Sequence, residues 1–97
     1  MMNLTEREQL FHPGDIVRHF KRDAFTKAEL DDDPQKYLYE IVGIAEHTET
    51  GERLMVYRAL YGAKKLYARP LDAFLSAVDK RKYPSSKQEY RFEPIGN

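Results

Sequence analysis

Three tyrosines and four cations share one short stretch of this chain. Tyr57, Tyr61 and Tyr67 are interleaved with Arg58, Lys64, Lys65 and Arg69. Aromatic rings bordered by cations suit nucleic acid, because bases stack on the rings and phosphates meet the charges. A groove of the same make grips an extended protein segment. The bland alternative is that the tyrosines are core residues with hydroxyls at a rim. Arg69 would then bond loop carbonyls or pair with Glu93. We take Tyr57, Tyr61, Tyr67 and Arg69 as candidate ligand contacts, with His19 as a fifth.

Other chemistry is less well supported. His12, His19 and His47 lie on separate segments with no HxH or HExxH spacing, so the pattern names no metal site. Asp31, Asp32 and Asp33 are adjacent, whereas a Ca²⁺ loop alternates its ligands and needs a glycine at its turn. Cys is absent, and Ser76, Ser85 and Ser86 lack a nucleophile-elbow context. Glu40 and Glu46 form a candidate carboxylate pair on one strand face, with His19 as a base, but no spacing fixes their geometry. The reading is therefore no catalytic residue and no cofactor.

Composition sets the bounds. The 97 residues suffice for one domain with a modest core. Hydrophobic residues at 41% and charged residues at 33% describe a globular chain and not a disordered one. No apolar run reaches membrane-spanning length, and the first residues carry no apolar signal core, so a cytoplasmic, bacterial-type protein is expected. Net charge is zero but uneven. Residues 1–52 hold 6 Lys+Arg against 12 Asp+Glu, or −6, and residues 53–91 hold 10 against 3, or +7.

The elements that must position these residues centre on Tyr37 to Gly62. Leu38 to Ala45 and Leu54 to Tyr61 are rich in aromatic, aliphatic and β-branched residues, which predicts two strands of a hairpin. A three-residue loop ending on a left-handed Gly51 sets Val42 opposite Arg58; a two-residue loop would set Gly43 there. With the first register, Glu40, Val42, Ile44, Glu46, Leu54, Val56, Arg58 and Leu60 share one face. Tyr39, Ile41, Gly43, Ala45, Met55, Tyr57, Ala59 and Tyr61 share the other. Both faces are largely apolar, which implies a sheet covered on both sides or curled into a barrel. Arg58 then needs a carboxylate, and its diagonal neighbour Glu40 is the candidate structural ion-pair partner.

In chain order, Thr5 and Glu8 make a capping box for a short helical turn. Ile16 to Phe20 predicts the first strand, and Thr26 with Glu29 caps a turn over Lys27 to Leu30. Leu66 to Arg69 predicts a strand after the hairpin. Pro70 then opens a helix through Val78, with Leu71, Phe74, Leu75 and Val78 on one stripe that plugs an end of the barrel. A charged segment, 79–89, leads to a last strand at Tyr90 to Ile95. The predicted fold is mainly β: a small SH3-like barrel of about five strands with a short helix before the last. An open α+β roll is the alternative. Residues 1–10 are an N-terminal extension and 11–97 the barrel domain.

Several runs resemble the small bacterial family catalogued as domain of unknown function 1653. They are Pro13-Gly14, Arg18 to Lys21, Tyr39 to Ala45, His47 to Thr50, Val56 to Gly62, Arg69-Pro70 with Phe74, and Tyr90 to Phe92. The resemblance implies an SH3-type barrel and no assigned activity. The chain departs from it in a loop inserted at 22–36 and in Tyr67, where the family commonly has Trp. The expectation is a non-enzymatic binding module for nucleic acid or a protein segment. An interaction or oligomerisation domain, with a homodimer as one form, is the alternative; a small hydrolase is the third. No membrane partner is expected.

Overall fold

The computed structural model describes residues 3–95. The first two and last two positions, the ends of the two expected segments, lie outside the described residues. Its elements are α1 (Leu4–Glu8), β1 (Ile16–His19), a 3-10 turn (Phe20–Ala24), α2 (Lys27–Asp32), β2 (Leu38–Glu46), β3 (Arg53–Ala59), β4 (Leu66–Pro70), α3 (Leu71–Phe74) and β5 (Phe92–Pro94). All strand pairs are antiparallel, in the order β4-β3-β2-β1-β5. The protein is thus mainly β with a short helix before the last strand. The sheet is not closed: β4 and β5 are its two edges, and no ladder joins them.

It is nevertheless strongly curled. Phe92 on β5 and Tyr57 on β3 stand three strands apart, roughly 14 Å in a flat sheet at about 4.8 Å per strand. Their ring centres are 5.4 Å apart. The inner face therefore folds onto itself. Its core is Val17, Tyr39, Ile41, Met55, Tyr57, Ala59 and Phe92, closed below by Phe11, Leu71, Phe74 and Leu75. Phe74 stacks on Phe92 at 4.2 Å, and burial of each such ring stabilises the fold by about 1.5–3 kcal/mol. The stripe Leu71, Phe74, Leu75 and Val78 is buried as its spacing requires. The helix itself stops at Phe74, because Ala77 leaves it to bridge Tyr90 and the Val78 N–H donates to the Glu89 carbonyl.

The hairpin register differs from both expected ones. Glu40 faces Arg58 and Ile41 faces Tyr57; past a bulge between Ile41 and Gly43, Gly43 faces Val56 and Glu46 faces Arg53. The cause is a longer loop. Nδ1 of His47 accepts the Glu49 and Thr50 N–H groups, Gly51 takes φ +76°, and its N–H donates back to the His47 carbonyl. The bulge resets the alternation, since each strand residue points opposite to its neighbour and one extra residue reverses the sense. Glu40 and Glu46 consequently lie on opposite faces and form no carboxylate pair. The outer face is not covered over its whole extent either: Val42 is 46% and Leu66 53% exposed.

The N-terminal helix begins one box earlier than Thr5. Asn3 caps it, with the Asn3 side chain accepting the Glu6 N–H and Glu6 returning to the Asn3 N–H. This places Arg7 inside the protein, 3% exposed. Its guanidinium donates to the carbonyls of Leu75 and Phe92. Glu8 pairs with Arg53 on the hairpin.

Candidate ligand-binding surface

The β3–β4 ladder sets Tyr67 opposite Tyr57 and Arg69 opposite Met55, all on the inner face. Position in the sheet then separates the tyrosines. Tyr57 is in an interior strand and is 6% exposed, its ring against Tyr39, Phe74 and Phe92. Burial pushes its phenol up in pKa. Tyr67 is on an edge strand, 42% exposed, and leans on Tyr57 at 5.8 Å. Tyr57 is thus a wall, and Tyr67 is the ring a ligand can reach.

Tyr61 stands between these cases. Its hydroxyl bonds that of Tyr39 at 2.7 Å, and Lys36 Nζ lies 4.8 Å from its ring centre. Tyr39 is pushed well above the usual phenol range, first by burial and then by this bond. Tyr37 completes the row. Its ring contacts His19, Phe25 and Tyr61 at 5.5, 5.7 and 5.5 Å. It holds φ +61°, a conformation a bulky side chain adopts only when its surroundings enforce it. Sequence reasoning missed Tyr37; its alternation with Tyr39 ahead of the hairpin was the available signal.

His19 is half-buried in this aromatic wall, stacked on Phe20 at 4.6 Å and meeting Phe92 edge-on at 4.9 Å. Its Nδ1 accepts the Lys21 N–H at 3.0 Å, which fixes the neutral tautomer with the proton on Nε2. Burial first, and then the positive charges of Lys21, Arg69 and Arg91, push its pKa down to about 4. At neutral pH it is a hydrogen-bond donor through Nε2 and too weak a base for general-base work.

Among the described residues Arg69 makes no ion pair or hydrogen bond, and Glu93 pairs instead with Arg18 at 3.8 Å. Arg91 Nε is buried without a partner among the described residues. Next to Tyr37 a cleft of ≈ 400 Å³ runs between the 3-10 turn and the 82–86 segment, lined by Phe20, Phe25, Tyr83, Lys21 and Lys82 among others. The inserted loop supplies part of its wall.

The remaining expected residues are elsewhere. Glu40 and Arg58 face each other across the ladder on the outer face, yet the ion pairs among the described residues do not include them, and Arg58 is exposed. Arg58 is therefore not the buried cation that the sequence made it. His12 pairs with Asp15 at 3.2 Å and His47 organises the hairpin loop, so the three histidines do not meet. Among the described residues no group of three His, Cys, Asp or Glu side chains is placed to hold a metal ion.

A family model described as protein of unknown function (DUF1653) matches residues 15–94. The chain belongs to this family. The match spans β1 to β5 and includes every residue of the surface described above. No curated protein and no solved structure matches the chain. No helix among the described residues is long and apolar enough to cross a membrane.

Proposed function

We propose that this member of the family is a non-enzymatic binding module for single-stranded nucleic acid. The observation that carries the reading is the pair Tyr67 and Arg69: an exposed ring and an unpaired guanidinium on one face of an edge strand. Stacking on Tyr67 and Tyr61 accepts any base, while Arg69 and Lys36 meet phosphates. The cleft beside Tyr37, with Lys21, Lys82 and one carboxylate, Asp23, in its wall, continues the path for a chain-like ligand. The strand order and the curl of the inner face support an open SH3-like barrel as the scaffold.

Fluorescence anisotropy with labelled single-stranded RNA and DNA oligonucleotides tests this at low and moderate salt. Binding is expected to weaken as salt rises, since phosphate contact releases counterions. Tyr67→Ala is expected to weaken it roughly tenfold, from about 1–3 kcal/mol per stacked base. Arg69→Ala should weaken binding and flatten the salt dependence, and Arg58→Ala on the far face should do neither. Absence of binding at low salt, or binding indifferent to Tyr67→Ala and Arg69→Ala, overturns the reading. An extended protein segment is the second reading, favoured by the aromatic cleft walls Phe25, Tyr37 and Tyr83. Binding of a proline-rich peptide that ignores salt would select it.

A further inference from the structure

The outer face of the sheet poses a separate question. It is apolar in sequence, yet the chain leaves much of it uncovered. Toward β5 it carries a row of Glu93, Arg18 and Leu38, whose two charges pair with each other at 3.8 Å. Beyond that row lie three more cross-strand rows. One row reads Ile16, Glu40, Arg58, Leu66 across β1, β2, β3 and β4. The next reads Gly43, Val56, Ala68, and the third reads Ala45, Leu54, Pro70, across β2, β3 and β4. Glu40 and Arg58 are the only charges in these three rows, one of each sign and side by side.

We propose that this face is the interface of a two-fold symmetric dimer, with a second copy of the chain as its occupant. The arrangement is self-complementary about an axis that runs between β2 and β3, parallel to them. Rotation about that axis exchanges β2 with β3 and β1 with β4. Arg58 then lies over the partner's Glu40, and Glu40 over the partner's Arg58. Leu66 meets the partner's Ile16. Val56 comes down on the partner's Gly43, and Leu54 on the partner's Ala45, so each large residue meets a small one. A Cβ built on Gly43 has no atom of the chain within 4 Å, so the hollow above it is open. Sheets packed face to face cross at about 30°, which keeps these central pairs in contact while the corners diverge.

One charge of each sign is what a two-fold interface requires. Two copies supply two complementary pairs, whereas a face with two like charges would repel its own image. A partner carrying charge of one sign would attract one of the two charges and repel the other. The three rows hold ten residues, against about 20–30 a side in standard interfaces, so the dimer is a weak one seen at high concentration. This inference is independent of the nucleic-acid reading, which uses the opposite face.

Sedimentation velocity of the full chain from about 10 to about 500 µM is the test, the upper end reaching complexes of about −5 kcal/mol. The wild-type protein is expected to shift toward twice its monomer mass. Arg58→Glu sets four carboxylates together and is expected to raise the dissociation constant by roughly 30-fold or more, as does Glu40→Arg with four cations. Arg58 is exposed, so Arg58→Glu does not threaten the fold; Glu40 is half-buried, so circular dichroism and a urea midpoint accompany Glu40→Arg. The double exchange Glu40→Arg with Arg58→Glu restores both pairs and is expected to restore the dimer. A wild-type monomer at the highest concentration overturns the proposal and leaves the face to another partner. So does a dimer that ignores both single changes, or one that the double exchange fails to rescue.

Discussion

The guanidinium carbon of Arg7 lies 3.6 Å from the centre of the Tyr90 ring, so a residue at the chain's start is held by one near its end. The same guanidinium donates to the carbonyls of Leu75 and Phe92. It thereby ties α1 to the end of α3 and to β5. Burial depresses its pKa, opposed by the neighbouring Tyr90, Glu93 and Glu89. Arg7→Ala leaves two buried carbonyls without a donor and a ring without its cation. The expected loss is about 3 kcal/mol, because hydrogen bonds to charged groups contribute about 1.5–3 kcal/mol each and are not additive. Arg7→Lys is expected to recover little of it, since an ammonium cannot serve both carbonyls and stack flat on the ring. Urea denaturation followed by circular dichroism reads both changes. A loss within a few tenths of a kcal/mol for Arg7→Ala would show the helix to be a loose appendage.

His19 gives the protein a pH dependence with a defined sign. Its folded pKa, about 4, lies below the ordinary 6.5. Between these values the unfolded chain binds a proton that the folded one does not. Stability is therefore fully present above about 6.5 and is lost as pH falls toward 4, below which the contribution is flat. His19→Asn removes the titration and keeps a side-chain oxygen to accept the Lys21 N–H, for which His19 is the cap of the 3-10 turn. The urea midpoint of the wild-type protein is expected to fall more between pH 7 and pH 4.5 than that of the variant. Glu29, whose carboxyl is held acidic by its bonds to Thr26, contributes to acid loss in both and cancels. Parallel midpoint curves would show that His19 is not shielded from water as its ring contacts indicate.

The contrast between these two residues marks what a sequence can and cannot disclose. Alternating apolar residues disclosed the strands at Leu38 and Leu54, and the stripe Leu71, Phe74, Leu75 and Val78 disclosed its own burial, because burial follows periodicity. The register was not disclosed, because it depends on a loop that His47 closes with its ring and on a bulge at Val42 that alternation hides. The start of α1 was ambiguous in principle: Asn3 with Glu6 and Thr5 with Glu8 are two overlapping capping boxes of the same chemistry. Choosing the first places Arg7 inward, and that choice is settled by carbonyls some seventy residues away. At the candidate site, residue types pointed to Tyr57, Tyr61, Tyr67, Arg69 and His19 alike. Only the position of β4 at the sheet edge separates an accessible Tyr67 from a walled-in Tyr57.

Gln88 is the second buried polar residue that periodicity would send to the surface. Its Oε1 accepts from Arg18 Nε at 2.6 Å, and its Nε2 donates to the carbonyls of Arg18 and Tyr90 at 3.3 and 3.0 Å. Its own carbonyl accepts from Lys80 Nζ at 2.8 Å. The charged 79–89 segment is thus pinned to β1 through one amide, which explains how β5 returns to pair there despite so polar an approach. Gln88→Leu keeps the volume but leaves Arg18 Nε and the Tyr90 carbonyl unpaired, for an expected loss of about 2–3 kcal/mol. Gln88→Ala adds a cavity and is expected to cost more. Because the amide and the guanidinium touch, Gln88→Leu and Arg18→Ala are expected to be non-additive by about 1–2 kcal/mol in a double-mutant cycle on urea stability. Additive losses would mean that the segment is held by its backbone bonds alone. In that case the Val78 N–H to Glu89 carbonyl bond and the Ala77–Tyr90 bridge are the contacts that bring the last strand home.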